Sequence, residues 1–418
     1  MNLETIENNE SSVRGYSRAF PAVFAKASGS IIYDESGREY IDFFSGAGGL
    51  NYGHNHPVLK QAMIDYIQND GIIHGLDMAT VAKINFINTF KEHILEPRKL
   101  DYRLQFTGPT GTNAVEAALK LARLVTKKTN VIAFTHGFHG VSLGSLAATS
   151  NSWFRNAAGT ELNNVTFLPY DGYIKDFDSI QYLEKILDDP SSGLDEPAAI
   201  ILEVIQGEGG VNLASVDWLQ RLRKLTLDRG IILIIDDIQA GCGRSGDFFS
   251  FEESGIVPDL ITLSKSLSAS GLPMSLLLIK PEFDIWKPGQ HNGTFRGNNL
   301  AFVSAAKAIK EFWSNDKLVL EIKLKEKMIK ERLDTIAKTY SEKKLSVRGR
   351  GLFYGLVFEQ GEDAQKVARH AFSEGLIIEL CGSHDEVLKL FPALNIDNET
   401  LARGLDIIED SVKAIISE

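Results

Sequence analysis

Two spacings of apolar residues alternate along this chain. Short runs in which nearly every residue is aliphatic, such as Ile231 to Ile235 and Leu260 to Leu263, stand between longer stretches whose apolar positions recur every three or four residues. The first pattern reads as strands covered on both faces, the second as helices laid over them. Strands are predicted at 103–106, 131–134, 198–202, 231–235, 260–263 and 275–279, with helices at 113–124 and 216–228. That alternation predicts a mostly parallel sheet with helices on both sides. Helices at 299–314 and 317–339 lead away from it. The tail turns to α+β, with strands at 352–358, 376–379 and 387–391, a helix near 363–374 and a final helix. Near the start, Ile31, Ile32 and Tyr33, then Tyr40, Ile41 and Phe43, flank a Ser36-Gly37 turn and predict short strands around it. Residues 1–14 are polar and are read as a mobile start. The expected organisation is α/β: a large domain over 61–315 and a small domain built from both chain ends, 1–60 and 316–418.

Composition narrows the function classes. With 418 residues the chain buries an ample core without staples. Its 44 Lys and Arg against 55 Asp and Glu give a formal net charge of -11, which argues against general nucleic-acid binding. A small anionic ligand stays open, because local charge decides that. Cys242 and Cys381 are too few for a disulfide framework and suit a reducing cytoplasm. The start carries no basic segment followed by an apolar core, and no apolar run approaches the ~20 residues that cross a bilayer. A cytoplasmic protein with neither membrane nor nucleic-acid partners is expected.

Four segments carry candidate chemistry. Thr107-Gly108-Pro109-Thr110-Gly111-Thr112 opens a predicted helix, and free N–H groups at a helix start suit a phosphate. Asp236-Asp237-Ile238-Gln239 ends a buried strand, the edge of an α/β sheet beyond which ligands sit. Lys265, between Ser264 and Ser266, closes another strand and is a candidate Schiff-base amine. His291 to Asn298 is a small, polar loop before a helix. Alone, the Gly/Thr turn reads more readily as a helix cap and Lys265 as a surface lysine, the Asp236 segment equally as a cap, and the 291–298 segment simply as a loop. Together with Phe138-His139 they supply the parts that hold pyridoxal phosphate: a phosphate cradle, an acid for the ring nitrogen, an amine for the aldehyde and an aromatic face. No His or Cys cluster stands at metal-ligand spacing. An early Gly-Xaa-Gly-Xaa-Xaa-Gly unit is missing, which disfavours a dinucleotide-dependent oxidoreductase.

At these residues the sequence resembles the class III pyridoxal-phosphate aminotransferases, from about Gly29 to about Ile396. The stretches "FTGPTGTNAVEAALKLAR", "IQAGCGRSGDFFSFE", "SKSLSASGLPM" and "HNGTFRGNNLAFV" carry the likeness. The resemblance implies the type I aminotransferase fold, with a seven-stranded type of sheet, and pyridoxal 5'-phosphate as cofactor. It implies that Lys265 is the catalytic amine, that Asp236 binds the ring nitrogen and Gln239 the ring hydroxyl. Gly111 and Thr112 would hold the phosphate, Phe138 would stack on the ring with His139 beside it, and Thr294 would reach the phosphate of a neighbouring subunit. The site would then need at least a homodimer. The implied substrates are a small amino acid and a 2-oxo acid or aldehyde. The implied reaction moves an amino group from L-glutamate to L-aspartate 4-semialdehyde, giving L-2,4-diaminobutyrate and 2-oxoglutarate on the way to ectoine. The alternatives are a 4-aminobutyrate or ornithine type, or a non-catalytic relative.

The sequence departs from the family pattern at several points. Asp237 stands where Glu is usual and Val204 where Pro is usual. Glu208 keeps the gate position that pairs with a C-terminal arginine in ornithine-type members. The matching place here is Lys389, which could take a carboxylate as a point charge without a bidentate fork. An arginine often found after the Phe-His-Gly segment is Val141. Asn51 and Tyr52, in a loop like the one at the family's site entrance, are candidate substrate contacts, against the equal reading of a turn with a core aromatic.

Overall fold

The computed structural model describes residues 3–416. Its centre is a seven-stranded sheet in the order Arg103–Phe106, Leu276–Ile279, Leu260–Leu263, Ile232–Asp236, Ala199–Leu202, Val131–Phe134, Val165–Leu168. All pairings are parallel except the two made by Leu276–Ile279. Side chains alternate across it as a pleated sheet requires. Ile232, Ile234 and Ile201 pack on one face with the helix Gly111–Thr126; Leu233, Ile235 and Ile200 pack on the other. Both faces are therefore dry, which is why the runs read as uninterrupted apolar sequence. Burying each such aliphatic side chain contributes about 1.5–3 kcal/mol.

Helix ends follow local chemistry. Ser215 accepts a hydrogen bond from the Trp218 N–H, and Gly230, at φ 62°, ends the helix Val216–Arg229. Thr110 and Asn113 cap the helix Gly111–Thr126 reciprocally, and its buried face is mostly alanine, which lets it lie close to the sheet.

Two smaller sheets join the chain ends. Phe24–Ser28, Ile31–Asp34 and Glu39–Asp42 form one with Leu376–Ile377, which pairs in parallel with Glu39–Asp42. Ser346–Arg350, Phe353–Val357, Val387–Leu390 and Glu379–Cys381 form the other. The predicted strand at 376–379 is thus split between two sheets, with Ile378 at the break. The polar start also differs from expectation. Glu4–Asn9 is a short helix with acidic residues in its first turn and Arg14 ion-paired to Glu7; Met1 and Asn2 lie outside the described residues.

The final helix, Asn398–Ile416, seats Gly404 against the buried Phe43 ring, where a Cβ would come within 2.3 Å of the ring. Alanine in a helix normally gains about 1 kcal/mol over glycine. Overpacking a dry core costs about 1–3 kcal/mol, so Gly404→Ala is expected to lower stability on balance. A urea midpoint above that of the parent would overturn this.

Candidate active site

The parallel strands end together, and the residues after them wall one cavity of about 320 Å³. His139 and Phe138 follow Val131–Phe134, Glu203 and Glu208 follow Ala199–Leu202, Asp236 and Gln239 end Ile232–Asp236, and Lys265 follows Leu260–Leu263. This is the carboxyl edge of the sheet, where open α/β folds place ligands.

Asp236 is buried and held from three directions. Its Oδ2 lies 2.7 Å from His139 Nδ1, while its Oδ1 accepts from Thr262 Oγ1 at 3.0 Å and from the Ile238 N–H at 3.3 Å. Burial alone would lower the His139 pKa, but the hydrogen bond and charge of Asp236 outweigh it and leave the value raised. Glu203 is also buried. Its carboxyl accepts from the Phe138 and Gly207 N–H groups, and burial pushes its pKa up to about 7.

Lys265 sits in a short turn, Lys265–Ser268, with its own φ at 49°. That left-handed conformation is costly for a side chain with a Cβ and marks a position held for its function. Ser266 anchors the turn, donating to the Gly48 carbonyl at 2.6 Å and accepting from the Asn51 N–H at 3.1 Å. Burial lowers the Lys265 pKa below the usual lysine value, with Glu208 opposing the shift. A buried amine of that kind is readily freed of its proton.

The phosphate-type end is the start of the helix Gly111–Thr126. A Cβ on Gly111 would lie 2.9 Å from the Ile238 side chain, which would have to shift to admit it. The Thr112 hydroxyl is shared with Ser142 at 2.6 Å and Ser145 at 2.5 Å. Glu116 accepts from Ser142 and from the Gly144 and Ser145 N–H groups, which fixes that wall.

At the opposite end, Gln239 donates to Glu208 Oε1 at 3.0 Å. Lys389 is fully buried and reaches the same oxygen at 2.8 Å. It also reaches Glu379 Oε2 at 2.9 Å, and Tyr16 donates to Glu379 Oε1 at 2.9 Å. The lysine read from sequence as a possible solvated strand residue is thus an interior ion pair. Coulomb attraction to Lys389 overrides burial and holds the Glu208 carboxyl well below the usual range.

The cavity fits a phosphorylated aromatic aldehyde such as pyridoxal phosphate. Two buried polar atoms on its lining residues, His139 Nε2 and Gln239 Oε1, have no protein partner. A carboxylate, an amine and a helix start face the same space. Gly111, Thr112, Phe138, His139, Asp236, Gln239, Glu208 and Lys265, all candidates from the sequence, line it. Asn51 and Thr294 do not. The Asn51 amide is buried, donating to the Cys242 carbonyl and accepting from the interior Arg244. Thr294 is exposed on the 291–298 loop, its carbonyl 3.0 Å from His74 Nε2. Sequence reasoning assigned no role to Glu203, Ser142, Ser145, Tyr16 or Glu379. Glu203 had a signal, an acidic residue directly after a buried strand; the others follow only from the tertiary pairing. The two cysteines are buried free thiols whose pKa values burial raises. Among the described residues no three His, Cys, Asp or Glu side chains group as a metal site, and no helix is long and apolar enough to cross a membrane.

The chain matches the family model "Aminotransferase class-III" over residues 13–412. It is 59% identical over 420 residues to the diaminobutyrate–2-oxoglutarate transaminase of Bordetella parapertussis, spanning 100% of this chain and 97% of that one. It is 54% identical over 407 residues to the protein of the same name from Vibrio cholerae, spanning 97% and 99% of the two chains. Among solved structures it is similar to the ornithine aminotransferase of Toxoplasma gondii, with a TM-score of 0.85 at 25% identity over 99% and 95% of the two chains. A transaminase from the marine bacterium Virgibacillus shares the fold, with a TM-score of 0.87 at 20% identity over 99% and 98%.

Proposed function

Because the chain belongs to the class III aminotransferases, which have the type I fold and use pyridoxal phosphate, we propose that it moves an amino group from L-glutamate to L-aspartate 4-semialdehyde. The products are L-2,4-diaminobutyrate and 2-oxoglutarate. One observation carries this reading: Lys265, Asp236 and Gln239 converge on a single cavity in a chain alike along its whole length to transaminases of that name.

When bound, pyridoxal phosphate supplies the aldehyde that takes up an amino group and a ring that accepts electrons. This chain's residues do the rest. Asp236, backed by His139, holds a proton on the ring nitrogen through its carboxylate. Gln239, whose Oε1 has no protein partner, would contact the ring hydroxyl. The start of the helix Gly111–Thr126, with Thr112, binds the phosphate. Phe138 presents its ring as a stacking face. Lys265, its proton loosely held, would be the amine that holds the cofactor and would move protons at the reacting carbon. Glu208, with Lys389 behind it, would meet substrate groups beside the reacting carbon.

Thr294, exposed in this chain, fits a role in a partner copy's site, so we read the working unit as at least a homodimer. We also read residues 61–315 as the cofactor-binding domain, and the free thiols as fitting a cytoplasmic location. A place in ectoine synthesis is a matter for the neighbouring genes.

The test is a half-reaction panel, following the cofactor spectrum with glutamate, diaminobutyrate, ornithine and 4-aminobutyrate. Glutamate and diaminobutyrate are expected to react at least about tenfold more efficiently than the other two, a difference of about 1.4 kcal/mol. A preference for ornithine or 4-aminobutyrate would replace the substrate assignment and keep the class.

A further inference from the structure

The strands Val131–Phe134 and Ala199–Leu202 run side by side in parallel, with Ile132 opposite Ile200. That register brings Glu203, the first residue past one strand, beside the turn that leaves the other. The turn is tight: the Gly137 N–H donates to the Phe134 carbonyl at 3.1 Å, and His136 stands at φ 64°. A positive φ at the third position of such a turn suits glycine or asparagine and is costly for a histidine. Strain of that kind persists only where the surroundings hold the backbone.

Holds of that kind are present on both sides of Phe138. Ser150 donates its N–H to the Gly137 carbonyl at 2.9 Å, and the His139 N–H donates to Thr149 Oγ1 at 2.9 Å. Between them the Phe138 N–H turns to the neighbouring strand end and donates to Glu203 Oε2 at 2.9 Å. Glu203 is itself anchored. Its Oε1 accepts from the Gly207 N–H at 3.3 Å, and the Tyr170 hydroxyl donates to its backbone carbonyl at 2.8 Å. Gln206 Nε2 ties the same segment to the Thr135 carbonyl at 2.8 Å. Glu203 is buried and lines the cofactor cavity, yet both its carboxyl oxygens are occupied by backbone N–H groups. The charges it feels are those of His139 and Asp236, which are paired with each other. It therefore acts on the cavity through the backbone of Phe138.

Phe138 presents the stacking face in the proposed site, and its ring meets Phe154 edge-on at 5.2 Å. Resting on that reading, we propose that Glu203 is a positioning residue for the cofactor: its carboxylate holds the strained turn closed at the Phe138 N–H and so sets where the stacking ring stands. The acceptor oxygens, not the charge alone, are what act. Replacing them with apolar atoms leaves two N–H groups unpaired, and the turn loses the hold that opposes its strain.

The test compares Glu203→Met with the parent, each as apoprotein titrated with pyridoxal phosphate. Methionine is close in shape and accepts no N–H bond. It also removes a carboxyl whose pKa burial pushes up to about 7, so the fold is expected to stand, and the melting temperature of the apoprotein checks it. Losing bonds to a charged acceptor corresponds to roughly tenfold to a hundredfold in an equilibrium that depends on them, so the cofactor Kd should rise about tenfold or more. The visible circular dichroism of the bound cofactor should fall. At saturating cofactor, kcat for the glutamate half-reaction should drop about tenfold while KM stays within about threefold. Glu203→Gln, which keeps one acceptor oxygen, should recover part of each loss. Phe138→Ala removes the ring and keeps the N–H; in that background Glu203→Met should weaken cofactor binding less than about threefold, because no ring is left to place. Should Glu203→Met fail to fold, Glu203→Gln in the two backgrounds carries the same comparison. Parent-like Kd and dichroism, equal losses in the Met and Gln variants, or the same loss with and without the Phe138 ring would each overturn the inference. If Phe138→Ala alone, with Glu203 intact, leaves both readouts unmoved, the stacking reading fails and takes the inference with it.

Discussion

Lys265→Ala is expected to lower amino transfer by about 10⁴-fold, the upper end of what a positioned proton-transfer group contributes, while the protein stays folded. The side chain is half-buried at a strand end, and among the described residues no other amine lines the cofactor cavity. Lys389 cannot substitute, because two carboxylates hold it and raise its pKa despite burial. Stability should survive for two reasons. The residue keeps a Cβ in the same left-handed backbone, so its strain is unchanged. A lysine whose pKa is depressed by burial costs stability at neutral pH, and alanine removes that cost. The measurements are single-turnover rates, the hydride-trapped cofactor adduct by mass spectrometry, and melting temperature. Parent-like rates, or an adduct on another lysine, would refute the assignment.

Lys389→Met is expected to cost about 3 kcal/mol near neutral pH, because it strands the buried Glu379 carboxylate and the half-buried Glu208. The pH dependence follows from the shifts. In the parent, the Glu208 carboxyl lies below its unfolded value of 4.5, so its contribution is present above that value and lost as pH falls through the folded one. Lys389 lies above its unfolded 10.5, so its contribution is full below that value and lost only as pH rises through the folded one. Between about pH 5 and 10 the Glu208–Lys389 pair is at full strength, while Glu379, whose pKa burial raises even in the parent, opposes it. Without the ammonium, Glu208 and Glu379 face burial and each other, and both bind protons more readily folded than unfolded. The variant's deficit should therefore shrink as pH falls from about 8 to about 5. Melting temperatures across that range decide it: a gap that stays constant would show that lost packing, not charge, sets the cost.

The large sheet was readable because its strands are buried on both faces and so leave no polar position to confuse the pattern. Val131–Phe134 and Leu260–Leu263 appear at the predicted bounds. Val165–Leu168 was not predicted; it is an edge strand, only partly buried along most of its length. The cofactor end of the site was readable for a related reason, since its residues follow strand ends in sequence. The substrate end was not. Ile378 divides what reads as one apolar run, and only that division sends Glu379 into the same sheet as Lys389. Asn51 failed as a substrate contact because an interior arginine takes its amide, a partnership between distant segments that no local spacing reveals.

The parallel pairing of Leu376–Ile377 with Glu39–Asp42 has a bearing on biogenesis. The hairpin over 31–42 is made before the large sheet, and its own sheet gains its last strand only once residues 376–377 follow. Until then Ile41 and Phe43 wait without their final cover. Closing so long a loop is slow, and an unpaired strand edge invites association with other chains. The newborn polypeptide thus has a vulnerable interval that ends only when Leu376 and Ile377 arrive.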